Sequence, residues 1–134
     1  MTRISFTVPG KPYAKKRPRF SRKSGRAFDP AENGKAEASI GHLAAIHFQT
    51  PLTGAVAVEI VATFAIPKSW SKRKAAEHLH RPHIQRPDGD NILKAVKDAL
   101  NRIAWADDCQ VADERVRKVW GLVDQTVIHV EALA

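Results

Sequence analysis

The chain of 134 residues contains one cysteine, one methionine and one tyrosine. A lone thiol excludes an internal disulfide, and with it the small secreted scaffolds held together by cross-links. It fits a reducing compartment, the cytoplasm. Cys109 itself reads as a small buried hydrophobe more readily than as a nucleophile. No run of about 18 apolar residues occurs, so no membrane span is expected. The start, Met1-Thr2-Arg3-Ile4-Ser5-Phe6, lacks the long apolar stretch of a secretory signal. There is no internal repeat and no long low-complexity tract. Residues 11–26 also lack any acid.

What is present describes one domain over 1–134, with 43% hydrophobic residues and enough chain for a real core. The formal charge is +8 and unevenly placed. Residues 1–86 carry 16 Lys/Arg against 5 Asp/Glu, whereas residues 87–134 carry 6 against 9. Such polarity suggests a basic surface for a polyanion and an acidic pocket for cations.

Alternation predicts short strands at 3–8 and 55–66, and further strands at 114–123 and 126–132. Val123-Asp124-Gln125-Thr126 reads as a tight turn, which would join the last two strands in an antiparallel hairpin. A helix is predicted over 30–48, with Pro30 at its first turn and Asp29 as N-cap. A short helix is predicted after Ser69 or Ser71, followed by a loop over 75–87 able to lie over a substrate. The order implies an α+β fold: a single domain with a mixed β-sheet of about four strands and helices packed on it. Trp105 and Trp120 read as core aromatics.

Two segments are strongly basic. Lys11, Lys15, Lys16, Arg17, Arg19 and Arg22, with Lys23 and Arg26, read as a mobile loop interleaved with Tyr13 and Phe20. Pro18, Ser24 and Gly25 argue against regular structure there. Lys72, Arg73 and Lys74 form the second cluster. Lysine and arginine in this density position a nucleic acid through its phosphates, and aromatic rings among them can stack on an unpaired base. His78, His80 and His83 invite a zinc site, but no second ligand cluster accompanies them, and Cys109 is the only thiol.

The chemistry concentrates in Asp88-Gly89-Asp90-Asn91-Ile92-Leu93-Lys94. Ile92, Leu93, Val96, Ala99, Leu100 and Ile103 form one apolar stripe of helical period, while Asp90, Lys94 and Asp98 step by four along a polar face. Asp88 or Asp90 is the N-cap, and Gly89 lets the backbone bend between them. A second carboxylate pair, Asp107-Asp108, lies past the helix end. Oxygen ligands from two short segments with an ammonium nearby outline a hard-cation site of the kind Mg²⁺ takes, with Mn²⁺ as a substitute. The plainer alternative makes the aspartates helix caps and Asp90–Lys94 a solvated pair.

Asp-x-Asp-Asn-x-x-Lys followed by Trp105-Ala106-Asp107-Asp108-Cys109-Gln110-Val111 resembles the RusA family of Holliday junction resolvases. The run Gly10-Lys11-Pro12-Tyr13-Ala14-Lys15-Lys16-Arg17-Pro18-Arg19 is similar to that family's basic N-terminal segment. The resemblance implies a small Mg²⁺-dependent endodeoxyribonuclease, often phage- or prophage-encoded, working as a homodimer on branched DNA. It implies Asp88, Asp90, Asp108 and Lys94 as functional residues, and 5′-phosphate and 3′-hydroxyl products. Gly89 departs from the pattern, because the residue between the two aspartates is often larger.

On this reading Asp88, Asp90 and Asp108 together hold the metal, Lys94 stabilises the charge of the transition state or orients water, Asn91 steadies a carboxylate, and Asp107 assists or caps. Competing readings are a non-catalytic basic nucleic-acid-binding module, another Mg²⁺ nuclease, and a protein that binds an acidic partner. The spacing of Lys94 after Ile92-Leu93 does not match the Asp/Glu-x-Lys restriction-like pattern.

Overall fold

The computed structural model describes residues 2–133. Four strands, β1 (Arg3–Pro9), β4 (Val56–Ala65), β5 (Val111–Gly121) and β6 (Gln125–Ala132), form one sheet in the order β1-β6-β4-β5. A two-stranded ribbon, β2 (Arg19–Phe20) and β3 (Ala27–Phe28), stands apart. The helices are α1 (Ala31–His47), α2 (Lys72–His78) and α3 (Gly89–Leu100), and a 3₁₀ turn covers Asp108–Gln110. The sheet is mixed, since β4 runs parallel to β5 and antiparallel to β6. This is the α+β, four-stranded architecture that the sequence predicts.

The core lies between one face of the sheet and helices α1 and α3. Val56, Val58, Ile60, Ala62 and Phe64 alternate inward along β4. They meet Ile92, Val96, Ala99 and Leu100 of α3, Ile40 and Ala44 of α1, and the fully buried Trp105. Burying branched and aromatic side chains on one face of a sheet is what makes period-two alternation a fold signal.

Three expectations are corrected. First, β5 and β6 form no hairpin: β4 lies between them. The reason is apolarity. β4, like β6, is buried or half-buried along its whole length, so both take interior positions. β5 exposes Asp113, Glu114, Arg115 and Arg117, which suits an edge. Where the chain crosses the end of β4, the amide of Ile66 donates to the Gly121 carbonyl at 3.0 Å and that of Ala65 to Asp124 Oδ1 at 2.8 Å. A Cβ on Gly121 would stand 2.3 Å from Thr63 Cγ2, so only glycine allows this approach.

Second, the basic segment is not wholly irregular, since Arg19–Phe20 pairs with Ala27–Phe28 and Gly25, at φ +66°, makes the turn. Third, Cys109 is exposed. A hydrogen bond to Asp107 pushes its thiol up, keeping it protonated. Smaller shifts concern ends: α3 stops at Leu100, three residues short of Ile103, and β5 begins at Val111.

Candidate active site

The site is built on the start of α3. Asp88 is the N-cap residue, but its carboxylate makes no capping bond. Asp90 Oδ1 accepts from the Asn91 amide at 3.0 Å. Both aspartates are exposed, so their remaining lone pairs face solvent at the positive end of the helix dipole. The loop leading to them is held from below by the Lys118 ammonium, which donates to the carbonyls of Gln85 (2.6 Å) and Pro87 (2.7 Å). Gly89 lies against β5, where a Cβ would come within 3.2 Å of Val116 Cγ1. The unusual glycine between the two aspartates thus has a packing cause.

The basic N-terminal segment is fastened to this same helix. The Lys15 amide donates to the Asn91 carbonyl at 2.9 Å. The Lys15 ammonium bonds Asp98 and also Glu37 (3.0 Å). Asn33, wholly buried in α1, receives the Tyr13 hydroxyl (2.6 Å) and the Lys16 amide (2.9 Å), and donates to the Lys16 carbonyl and Asp29 Oδ1. The sequence reading overlooked Asn33. Its only local signal is an amide side chain in the first turns of a helix, where such residues are otherwise disfavoured.

These bonds divide the basic residues by role. Lys15 is anchored: the hydrogen bond to Asp98 holds its ammonium well above the ordinary lysine value. Burial pushes the Asp98 carboxyl up, but the hydrogen bonds from Lys15 and Lys94 outweigh it and leave the group low. Lys94 pairs with Asp98 at 3.0 Å rather than with Asp90. Lys16 lies 3.8 Å from Glu32 and Arg73 3.2 Å from Glu77, both on the surface. Lys74 sits over the Trp70 ring at 4.2 Å. Lys11, Arg17, Arg19, Arg22 and Lys72 are exposed and enter no ion pair among the described residues. They stand free for an anion.

Asp107 and Asp108 occupy a different place. Asp107 caps the 3₁₀ turn, accepting from the Cys109 amide at 3.0 Å, while Gln110 Oε1 accepts from the Asp107 amide at 3.1 Å. The bond from the Cys109 amide holds the Asp107 carboxyl low. Asp108 Oδ1 accepts from Trp105 Nε1 at 2.8 Å. Gln110 Nε2 ties the turn to the Leu52 and Gly54 carbonyls.

Gly89 lies beside Val116, while Lys97 pairs with Glu114 at 3.0 Å, so α3 runs antiparallel to β5. Asp88 and Asp90 stand at one end of α3, and Asp108 lies past the other. Twelve helical residues rising about 1.5 Å each span roughly 18 Å. Within one chain Asp88 and Asp90 thus lie toward the opposite end of α3 from Asp108. Among the described residues no three His, Cys, Asp or Glu side chains gather as a metal site. His78, His80 and His83 do not form one either.

The whole-chain pattern decides the relationship. Residues 9–131 match the family described as endodeoxyribonuclease RusA. The chain belongs to the RusA endodeoxyribonuclease family. RusA proteins are Holliday junction-resolving endonucleases that act on branched DNA and depend on a divalent metal. The chain is also 39% identical over 125 residues to the Bacillus subtilis (strain 168) protein "Uncharacterized protein YqaN", with 87% of each chain covered. The RusA match takes in the basic segment, the α3 motif and the Asp107-Asp108 turn alike. None of the helices is long and apolar enough to cross a membrane, among the described residues.

Proposed function

We propose that this RusA-family protein is a Mg²⁺-dependent, structure-selective endodeoxyribonuclease that resolves Holliday junctions by paired symmetric nicks, working as a homodimer in the cytoplasm. The observation that carries the proposal is the bond from the Lys15 amide to the Asn91 carbonyl. It fastens a phosphate-binding segment to the turn that presents Asp88 and Asp90, so a strand held by Lys11, Arg17, Arg19 and Arg22 passes the carboxylates.

The donor set suits a hard cation. Two exposed carboxylates with a single residue between them, and water completing the shell, are what Mg²⁺ commonly accepts. A divalent cation there would supply a water of lowered pKa and polarise the scissile phosphodiester. The rest falls to the chain. Asp88 and Asp90 balance the cation and hold its place. The Lys94 side chain, 60% exposed and one turn beyond Asp90, moves from Asp98 toward the phosphoryl oxygens as negative charge grows there. Asn91 and Lys118 fix the backbone on either side.

Asp108 enters from the second chain. The α3 helix separates it from Asp88 and Asp90 on its own subunit, and a junction needs two equivalent cuts. A C₂ dimer answers both requirements, since it sets two sites symmetrically and lets each chain lend a carboxylate to the other.

The direct test is incubation of purified protein with a synthetic four-way junction and a linear duplex of matched sequence, with Mg²⁺, with Mn²⁺ and with EDTA. The expected result is paired nicks in the junction with either metal and none with EDTA. No nicking in any divalent metal would leave a non-catalytic DNA-binding module with capping aspartates.

A further inference from the structure

Beside the α3 site lies a cleft of about 230 Å³ whose floor the cleavage scheme does not use. Its floor is Phe64, His83 and Trp120, and its rim carries Lys11, Gln85 and Arg86. The floor is a packed aromatic stack. Phe64 and His83 stack with centroids 3.9 Å apart and planes 16° apart, and Trp120 follows at 4.4 Å from His83. His83 is only 5% exposed, and its backbone is fixed by an amide bond to the Lys118 carbonyl at 2.9 Å. Its Nδ1 has no hydrogen-bond partner among the described residues. A buried polar atom without a partner costs stability and calls for a reason.

We propose that this cleft receives a single unstacked base of the DNA strand, next to the nucleotide whose phosphate lies at Asp88 and Asp90; the position of that phosphate rests on the function proposed above. Position supports it. Arg86 precedes Asp88 by two residues, at most about 7 Å along the chain, so the neighbouring nucleotide is the one within reach. The size suits one base, being below the range of about 300–1,000 Å³ typical of sites for larger ligands.

The lining chemistry favours a base over a bare phosphate. An aromatic floor gives a planar ligand a face, and Gln85 offers both a donor and an acceptor to a base edge. Asp124, also in the lining, would repel an isolated anion. Burial, with Lys118 and Lys11 nearby, holds the His83 imidazole below its ordinary value, and a neutral ring nitrogen pairs with the uncharged edge of a base. Lys11 and Arg86 remain for the phosphates on either side. Enzymes that act on duplex DNA gain selectivity where a base is already loosely paired. At a branch point that condition holds, so the cleft would add branch and base preference to a site that itself sees only a phosphodiester.

The test needs neither metal nor cleavage. A four-unit deoxyribose-phosphate strand carrying one base (A, C, G or T in turn) is compared in EDTA with the same strand carrying none, by fluorescence anisotropy. At least one base should raise affinity about tenfold. His83→Phe, which keeps the ring stack and removes the nitrogens, and the surface change Arg86→Ala should each erase most of that gain, with melting curves reporting the fold. Equal affinity for all five strands would overturn the proposal, as would a base-dependent gain that survives both substitutions. If a base raises affinity but no junction is ever nicked, the cleft stands and the nuclease reading falls. Nicking with no base-dependent affinity gives the converse.

Discussion

Trp105 Nε1 donates to Asp108 Oδ1 at 2.8 Å, so a wholly buried indole aims a half-exposed carboxylate. The indole is locked by the core, and its partner oxygen is fixed with it. The other oxygen of Asp108 stays available. Trp105→Phe should keep the aromatic core, lose this aim and cost about 1–3 kcal/mol of stability. Nicking should fall by more than tenfold at a temperature where the variant is fully folded. Thermal melts beside initial nicking rates check this, and unchanged rates would separate Asp108 from the reaction.

The opposite ends of α3 give a second prediction. Asp90→Asn and Asp108→Asn should each abolish nicking. Mixed and allowed to exchange subunits, they should recover it, because one of the two shared sites in a heterodimer then carries neither substitution. The product should be one nick per junction rather than two. If each site lies within one subunit, the mixture stays inactive.

Lys15, Asp98 and Glu37 bind the basic segment to α3. Asp98 sits below its unfolded value, so its contribution is present above about pH 4, the usual carboxylate value, and is lost as pH falls through the folded value. Lys15 sits above its unfolded value, so its contribution holds through neutral pH and fades only in strong base. Lys15→Met should cost about 2 kcal/mol at pH 7 and flatten the acid limb of stability against pH. Urea titrations at pH 3 to 7 measure both.

Gly89→Ala sets two effects against each other. Alanine favours the helix by up to about 1 kcal/mol over glycine, but its methyl crowds Val116 Cγ1 at 3.2 Å. Stability should change little. The helix start must shift by a few tenths of an ångström, and Asp88 and Asp90 with it, so kcat should fall severalfold while junction affinity holds.

Junction affinity should fall steeply with salt, because the free Lys11, Arg17, Arg19, Arg22 and Lys72 displace condensed counterions. Neutralising about four phosphates gives a log–log slope near −3 to −4. Replacing Arg17 and Arg19 together by Ala should flatten it by about two, whereas Lys15→Met should leave it unaltered.

The sequence alone carried the motif, the charge division and most of the elements. The clearest strand, Val56–Ala65, and the stripe from Ile92 to Leu100 were legible because each repeats with the period of its own backbone, a local property. Asp88 and Asp90 were legible for the same reason, lying next to the helix they begin. The tertiary structure decided what depends on non-local neighbours. It put β4 between β5 and β6, where the turn residues suggested a hairpin. It turned Lys15 from a phosphate ligand into an anchor, and made buried Asn33 the post of the basic segment. It also set Asp108 a helix length from Asp88 and Asp90. Distance along a chain does not report which end of a helix faces which strand, and that direction is fixed only when the apolar faces close on one another.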